Sequence, residues 1–352
     1  MSRFFTNKHS TLTPYTPGEQ PRDKKYIKLN TNESPFPPSP CAIQAASEAA
    51  KNLQLYPDPT YKALHEEIAA YHGLTPEEVL VTNGSDEILN FAFMAFCDKE
   101  HPAAFPNITY GFYSVFATLN HVPYTEIPLK PDFTVEPLDY KSTADTLFLA
   151  NPNAPTGLAL TVSEIEEIIK SNPNRVVVVD EAYIDFGGET VAPLVRKYDN
   201  LLVTRTFSKS RSMAGARLGY GIGCKALISD LNTVKYSTNP YNVNSMSAAA
   251  GLGVMKDEAY TEKNCRAIIE AREYAKAELK ALGFEMTDSL GNFLFVRHPK
   301  IKGAKIYKAL RKRGILVRHF NSILISEYNR ITVGTMAEMQ ALTDALADIV
   351  KE

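Results

Sequence analysis

The chain has 352 residues, of which 44% are hydrophobic and 22% charged, and its 38 basic and 40 acidic side chains nearly cancel. This length is about twice that of an ordinary domain, so we expect two domains, and the composition excludes a disordered or collagen-like chain. The net charge of -2 leaves no basic surplus for the phosphates of a nucleic acid, so we expect no nucleic-acid partner.

The cysteine and histidine patterns do not indicate a metal site. The four cysteines are far apart without a C-x-x-C pair, and the seven histidines are scattered, so we expect neither a zinc cluster nor a disulfide framework. Unpaired cysteines are typical of a reducing compartment, which favours the cytoplasm. The longest apolar stretch, 91–97, is too short to cross a bilayer, so we expect no membrane partner.

The first half of the chain begins with a dense run of prolines, seven within the first 40 residues. Such a run excludes a helix or a central strand and predicts an extended arm. Capping and turn residues then predict helices over 40–53, with Ser39 as N-cap, over 60–73 and over 85–97. Between the second and third of these, the capping box Thr75-Pro76-Glu77-Glu78 leads into a short strand over 79–82.

Short apolar strands alternate with helices through the middle of the chain. We predict strands over 146–150, 175–180, 201–206 and 219–223, with a helix opened by the box Ser163-Glu164-Ile165-Glu166 after the first of them. Continuous apolar strands separated by helices predict an α/β fold, a mostly parallel sheet covered by helices on both faces.

The rhythm changes beyond residue 245. A long helical pattern over 245–282 precedes strands near 293–297, 315–318 and 330–334, which are mixed with helices near 302–313 and 336–350. We therefore expect a large α/β domain over 41–262. The residues 263–352, with the arm 1–40, are predicted to form a smaller α+β domain.

Four polar clusters follow predicted strands, where ligands of open α/β sheets bind. They are Asn83-Gly84-Ser85-Asp86, the segment 151–157, Asp180-Glu181-Ala182-Tyr183 and the segment 204–220. The first has free N–H groups at a helix start and suits a phosphate, although ordinary capping explains it equally well. A carboxylate at Asp180 would need a cationic partner, and an arginine pair or a cap is the alternative interpretation.

The fourth cluster is the most informative. Lys209 follows a strand end among hydroxyl side chains, with Arg211 and Arg217 close in sequence. A lysine used as an amine nucleophile must lose its proton near neutral pH, and neighbouring cations or burial lower the pKa of an amine. The alternative, an exposed lysine in a solvated charged run, fits the small and hydroxylated neighbours less well.

Together, the four clusters resemble the fold type I pyridoxal-phosphate enzymes, specifically the aminotransferases, in their order and spacing. The resemblance implies that Lys209 forms the internal aldimine with pyridoxal 5'-phosphate, that Asp180 contacts the pyridine nitrogen and that Tyr183 contacts the ring hydroxyl. Tyr110 is implied as the aromatic residue that stacks on the ring. The implied phosphate-binding residues are Gly84, Ser85, Asp86, Thr206, Ser208 and Arg217.

One position departs from the family pattern. The family usually has N-P-N-N-P-T-G, in which the asparagine before P-T-G bonds the ring hydroxyl, and this chain has Ala154 there. Either Asn153 takes over that contact or Tyr183 makes it alone.

Within the family, the nearest resemblance is to the histidinol-phosphate aminotransferase branch. It is carried by segments such as Leu29-Asn30-Thr31-Asn32-Glu33-Ser34-Pro35 and Leu55-Tyr56-Pro57-Asp58. It implies amino-group transfer between glutamate/2-oxoglutarate and histidinol phosphate/imidazole-acetol phosphate, in a homodimer whose Tyr56 reaches the partner subunit's cofactor phosphate. Arg330 is implied as the ligand of the substrate carboxylate, and the further substrate-pocket candidates are Tyr15, Asn32 and Arg318. For Tyr15 and Arg318, a packed arm or a salt bridge is the alternative.

Two rival functions share the cofactor. A threonine-phosphate decarboxylase-like lyase has similar motifs, but Tyr241 replaces the tryptophan associated with that branch, which favours transamination. An aromatic amino-acid aminotransferase is the second rival. A catalytically inactive regulator is disfavoured because such proteins carry a DNA-binding domain ahead of this fold, and here the arm begins almost at Met1.

Overall fold

The computed structural model describes residues 2–10 and 12–352, and these residues build two sheets. The larger sheet has seven strands in the order β2-β8-β7-β6-β5-β3-β4. Its strands are β2 (Val79–Thr82), β3 (Ala103–Pro106), β4 (Tyr124–Ile127), β5 (Thr146–Ala150), β6 (Val177–Asp180), β7 (Leu201–Thr206) and β8 (Gly219–Gly223). Strands β4, β3, β5, β6 and β7 run parallel, whereas β8 is antiparallel to both of its neighbours.

The smaller sheet has five strands in the order β1-β11-β12-β10-β9. They are β1 (Ile27–Leu29), β9 (Glu285–Met286), β10 (Phe293–Arg297), β11 (Ile315–His319) and β12 (Asn329–Thr332). Strand β1 of the arm pairs in parallel with β11, so the arm is part of this sheet. The domain limits predicted above stay a prediction.

The helices are α1 (Pro40–Ala49), α2 (Lys62–His72), α3 (Ser85–Phe96), α4 (Phe112–Leu119), α5 (Val162–Ser171), α6 (Lys225–Thr238), α7 (Ser245–Met255), α8 (Glu258–Ala281), α9 (Gly303–Lys312) and α10 (Met336–Lys351). Of the described residues, none lies in a helix with the length and apolar character that a membrane span requires.

Apolar side chains cover both faces of the large sheet. On β6, Val177 and Val179 belong to one buried cluster with the isoleucines of α5, whereas Val178 belongs to another with α3 and α6. This alternation follows from the period of two in a strand. A third cluster packs α8, α9 and α10 against the small sheet. The carboxyl ends of β5, β6 and β7 therefore lie at one edge of a rigid support.

Several predicted elements differ from the structure. The capping box that opens α5 is Thr161 with Glu164, not Ser163-Glu164-Ile165-Glu166, because Thr161 is the residue whose side chain accepts from the Glu164 N–H. The helical pattern predicted over 245–282, longer than one ordinary helix, is made up of the two helices α7 and α8. The predicted strand over 175–180 begins at Val177, and Ser39 caps α1 as predicted, accepting from the Ala42 N–H at 3.1 Å.

Candidate active site

A cavity of about 320 Å³ lies at the carboxyl ends of the parallel strands. The structure brings most of the predicted site residues to its wall: Ser85, Asp86, Tyr110, Asp180, Tyr183, Thr206, Ser208, Lys209 and Arg217. Thr31 and Glu33 of the arm complete the wall from the opposite side. The cavity is therefore enclosed by the large sheet and by a segment that belongs to the small one.

Lys209 lies just beyond the end of β7 and reaches across the cavity. Its Nζ donates to the Thr31 carbonyl oxygen at 3.4 Å and lies 5.7 Å from the centroid of the Tyr183 ring. The preceding residue, Ser208, is buried, and its N–H donates to the Thr206 hydroxyl at 3.1 Å. The amine thus has one backbone acceptor, and its supporting turn is fixed by its own hydrogen bonds.

The second arginine near Lys209 does not face the cavity. Arg211 is buried, and its Nη1 pairs with the Glu258 carboxylate at 2.7 Å. Its charge is therefore neutralised behind the site, which corrects the expectation that Arg211 acts on the Lys209 amine.

Asp180 ends β6, and its side chain is buried at the cavity wall. Its carboxylate accepts hydrogen bonds from the Thr204 hydroxyl at 3.1 Å, the Tyr113 hydroxyl at 3.2 Å and the Ala182 N–H at 3.2 Å. Burial raises the pKa of the Asp180 carboxyl to about 6, although these hydrogen bonds lower it. Within the described part of the chain, no cationic side chain forms an ion pair with it. The alternative of an arginine pair is therefore not realised there.

A buried carboxylate of this kind fits a protonated ring nitrogen. The hydrogen bonds stabilise the ionised form, and a cationic ligand atom would supply the missing charge partner. Thr204 and Tyr113, which orient the carboxylate, received no role in the sequence analysis. Tyr113 lies in the first turn of α4, whereas Tyr110 precedes the helix, so no helical spacing relates the two residues, and their rings meet edge to face with centroids 5.7 Å apart.

The opposite end of the cavity is built around Arg217 and the start of α3. Arg217 has a left-handed backbone with φ of 51°, and its Nη2 pairs with the Asp86 carboxylate at 3.0 Å. A Cβ atom on Gly84 would lie 2.8 Å from that Nη2, and one on Gly219 would lie 2.4 Å from the Ser85 nitrogen. Both glycines are therefore needed for this close approach.

This cradle fits a phosphate group. The first N–H groups of α3 lack helical partners and carry the positive end of the helix dipole, and Arg217 adds a full charge. The Asp86 carboxylate is bound by Arg217 and also accepts from the Tyr110 hydroxyl at 2.6 Å. Asp86 thus orients both side chains, and its own contribution to an anion would be its backbone N–H.

The structure turns Asn153 away from the cavity. Its amide nitrogen donates to the Ile108 carbonyl at 2.9 Å and to the Thr156 hydroxyl at 3.1 Å, and its oxygen accepts from Thr109 at 2.7 Å. Ala154, not Asn153, lines the cavity. Asn153 therefore ties its loop to the segment of Ile108 and Thr109, and it is poorly placed to replace the missing asparagine.

Asn32 lies beside the Tyr183 hydroxyl instead. Its amide nitrogen donates to that hydroxyl at 3.0 Å, and its oxygen accepts from the Thr332 hydroxyl at 3.1 Å. Asn32 was predicted as a substrate residue, and the structure shows a further contact that orients Tyr183.

The Arg330 guanidinium on β12 forms no ion pair with a carboxylate among the residues that the structure describes. Its Nη2 donates to the Asn30 carbonyl at 3.2 Å, and its Nε is buried without a partner. Burial lowers the pKa of the Arg330 guanidinium. Arg330 is not on the cavity wall itself, but an enclosed cation of this kind fits an incoming carboxylate.

Arg318 and Tyr15 contact the arm and its surroundings. Arg318 donates to the carbonyl oxygens of Thr16 at 3.1 Å and Pro17 at 3.3 Å, and the Tyr15 ring packs on Phe112 with centroids 4.4 Å apart. These contacts fit the alternative of a packed arm. Neither residue lines the cavity.

Tyr56 lies away from the cavity of its own chain. Its side chain is 82% exposed, and its ring stacks on Tyr241 with centroids 4.7 Å apart. No cluster of histidine, cysteine, aspartate or glutamate able to hold a metal ion occurs within residues 2–10 and 12–352.

Comparison with known proteins defines the class. Residues 24–346 match the family model described as aminotransferase class I and II. The chain belongs to this aminotransferase family, as the motifs around Lys209 predicted.

Several full-length relatives are histidinol-phosphate aminotransferases. The chain is 48% identical over 353 residues to the histidinol-phosphate aminotransferase of Brachyspira hyodysenteriae, with 100% of both chains covered. It is 46% identical over 350 residues to that of Lactococcus lactis, with 99% of this chain and 97% of the relative covered. The fold is similar to that of the Sinorhizobium meliloti histidinol-phosphate aminotransferase solved with pyridoxal-5'-phosphate. Their TM-score is 0.89 at 21% identity, over 100% of this chain and 98% of that one. The predicted α/β fold type I class is thus confirmed.

Proposed function

We propose that this aminotransferase uses pyridoxal 5'-phosphate and transfers an amino group between histidinol phosphate/2-oxoglutarate and imidazole-acetol phosphate/glutamate, a step of histidine biosynthesis. The main support for this cofactor is the cavity, whose wall includes the Lys209 amine, the buried Asp180 carboxylate and the Arg217 cradle. Full-length identity of 43–49% to histidinol-phosphate aminotransferases supports the substrate pair.

Different residues of the cavity wall would bind different parts of the cofactor. Asp180 would hold the ring nitrogen, Tyr183 the ring hydroxyl, and Tyr110 a ring face. The phosphate would lie on Arg217 and on Ser85, Thr206 and Ser208. When bound, pyridoxal phosphate supplies an aldehyde that links to amines and a ring that accepts electrons from the substrate Cα.

The protein supplies the proton transfers. The Lys209 amine would be the base that takes the proton from the substrate Cα. As an ammonium, Lys209 would then return this proton to the cofactor carbon. Asp180, as a carboxylate, keeps the ring nitrogen protonated and so favours removal of the Cα proton. Arg330 binds and orients the carboxylate of glutamate, since its charge has no acidic partner within the described part of the chain.

We further propose a homodimer. The support is the position of Tyr56, which is exposed, stacks on Tyr241 and is not part of its own chain's cavity wall. In a dimer, its hydroxyl would donate to the phosphate bound by the partner. The cytoplasmic location stays a proposal, and the observation that supports it is that all four cysteines are free.

A turnover assay tests the function. Purified enzyme loaded with pyridoxal phosphate is given 2-oxoglutarate with histidinol phosphate, phenylalanine or threonine phosphate, and glutamate formation is measured. We expect histidinol phosphate to give the highest kcat/KM. Release of carbon dioxide from threonine phosphate would support the lyase instead, and preference for phenylalanine would support an aromatic aminotransferase.

A further inference from the structure

Lys235 is a buried lysine outside the cavity described above. It lies in the last turn of α6, and only 1% of it is exposed. No carboxylate pairs with it within the part of the chain that the structure describes. Burial lowers the pKa of the Lys235 amine to about 8, although Glu87 and Asp58 act in the opposite direction. A buried amine without an anionic partner weakens the folded state at neutral pH, so we look for its role in the contacts that it makes.

The Lys235 amine holds the backbone at Pro59. Its Nζ donates to the Pro59 carbonyl oxygen at 2.7 Å, and the same oxygen accepts from the Tyr236 hydroxyl at 3.4 Å. The Nζ also lies 4.7 Å from the centroid of the Tyr61 ring and 4.9 Å from that of the Tyr236 ring. One carbonyl and two aromatic rings thus surround the charge and fix the amine against the segment that precedes α2.

This segment, Tyr56-Pro57-Asp58-Pro59, has little backbone freedom. Each proline fixes its own φ, and the residue before a proline is confined to extended backbone. The turn that follows is closed by a hydrogen bond from the Tyr61 N–H to the Asp58 carbonyl at 3.1 Å. A shift of the Pro59 carbonyl is therefore passed on to Tyr56 rather than absorbed between the two residues.

A second set of contacts holds the same segment from the other side. The Tyr61 hydroxyl donates to the Asn242 Oδ1 at 3.1 Å and accepts from the Val243 N–H at 3.0 Å. The next residue along the same strip, Tyr241, stacks on the Tyr56 ring. The ring of Tyr56 is thus placed by Tyr241, and its backbone is placed through Pro59.

We propose that Lys235 is a positioning residue that fixes the segment 56–59 through the Pro59 carbonyl and so sets the place from which Tyr56 reaches the phosphate bound by the partner subunit. This proposal rests on the cofactor and the homodimer proposed above. Lys235 is not on the cavity wall of its own chain. Because it acts through the segment, its removal affects cofactor binding where the Tyr56 hydroxyl is present and has no effect where that hydroxyl is absent.

The test is a double-mutant cycle of Lys235→Met with Tyr56→Phe. Methionine fills the same space without the charge or the donor, and phenylalanine keeps the ring that stacks on Tyr241. The dissociation constant of pyridoxal phosphate is measured by fluorescence titration for all four proteins. We expect Tyr56→Phe to raise it about 10-fold, since one hydrogen bond to a charged phosphate is lost. We expect Lys235→Met to raise it about 5-fold alone, but by less than about 2-fold when added to Tyr56→Phe.

Lys225→Met is the matched control, because it removes an exposed lysine from the first turn of the same helix. Its dissociation constant should equal that of the wild type. If the effect of Lys235→Met is absent, or persists in full in the Tyr56→Phe background, the proposal is overturned and the proposed function stays intact. An unchanged constant in Tyr56→Phe overturns the contact with the phosphate of the partner, and the proposal with it.

Size-exclusion chromatography and urea unfolding accompany the cycle. We expect Lys235→Met to elute as the wild type does and to fold, since removal of a buried unpaired charge offsets the lost hydrogen bond. Elution as a smaller species overturns the proposal, because Lys235 would then act on assembly. If Lys235→Met does not fold, Pro59→Ala takes its place in the cycle, since it loosens the segment and leaves the lysine intact. We expect an increase of about 3-fold that disappears in the Tyr56→Phe background, and an additive effect overturns the proposal.

Discussion

At the residue scale, some residues of the site could be predicted from their position at the end of a strand, and others could not. Lys209 and Asp180 follow apolar strands and could be predicted because polar residues at such ends face the ligand edge of the sheet. Tyr113 and Thr204, which bond the Asp180 carboxylate, are buried within regular elements. Their side chains resemble ordinary core or strand residues until the fold brings them to Asp180.

The position of Asn153 shows that motif spacing alone does not predict which groups a side chain contacts. A one-residue displacement of an asparagine looks small in sequence, but it changes which backbone and side-chain groups the amide can reach. The amide of Asn153 bonds the Ile108 carbonyl and the Thr156 hydroxyl, whereas the amide of Asn32 donates to the Tyr183 hydroxyl. A contact between residues as distant in sequence as Asn32 and Tyr183 has no local signal.

The burial of Asp180 makes a prediction for stability. In the cofactor-free protein its pKa is raised from 3.8 to about 6, so the folded state prefers the neutral acid. The stability that this preference contributes is full below about pH 4 and is lost as the pH rises through about 6. Asp180→Asn has no such loss. We expect the stability of Asp180→Asn relative to wild type to increase by up to roughly 3 kcal/mol from acid to neutral pH.

Urea unfolding of both cofactor-free proteins from about pH 4 to about pH 8 measures this difference. Asp185→Asn would be a poor control because Asp185 contacts Ser210 beside the site. The control is Asp344→Asn, which removes an exposed carboxylate of α10 that has no ion pair among the described residues. Parallel stability curves for wild type and Asp180→Asn would contradict the pKa assigned to Asp180.

At the element scale, most helices and buried strands could be predicted, and the errors have physical causes. Helices α4 and α6 were not predicted. Strands β3 and β4 also escaped prediction, because β3 is only four residues long and ends in Pro106, and β4 is largely exposed at the sheet edge. Neither therefore shows a long apolar run. The antiparallel direction of β8 depends on tertiary pairing, which the apolar pattern of a strand does not reveal.

The start of β8 packs directly on the start of α3, which makes a second prediction. A Cβ atom at Gly219 would lie 2.4 Å from the Ser85 nitrogen and 2.5 Å from the Gly84 carbonyl carbon, so the backbone must move. We expect Gly219→Ala to lower the free energy of unfolding by about 1–3 kcal/mol. Because the shift disturbs the anion cradle, affinity for pyridoxal phosphate should also fall, by about 10-fold or more.

Gly215→Ala is the matched control for stability, since a Cβ atom there meets nothing of the protein within 4 Å. Urea unfolding compares the two variants, and because Gly215 lines the cavity, a fluorescence titration with the cofactor compares Gly219→Ala with the wild type. If both variants behave alike, the close contact between β8 and α3 is not a constraint on the site.

At the scale of the whole molecule, the cavity lies between the large sheet and the arm that pairs with the small sheet. The α/β class and the arm could be predicted from strand rhythm and proline density. The presence of Glu33 in the same cavity as Lys209 could not be predicted from the sequence. It depends on the parallel pairing of β1 with β11, in which Ile27 lies beside Ile315, nearly 290 residues later in the chain.

The central claim is that the amine of Lys209 binds the aldehyde of the cofactor. Borohydride reduction of the loaded protein, followed by digestion and mass spectrometry, tests it most directly. We expect one modified peptide, with the cofactor's mass on Lys209, and no incorporation in Lys209→Ala. Covalent label that persists in Lys209→Ala, or that maps to another lysine of the wild type, would contradict the account.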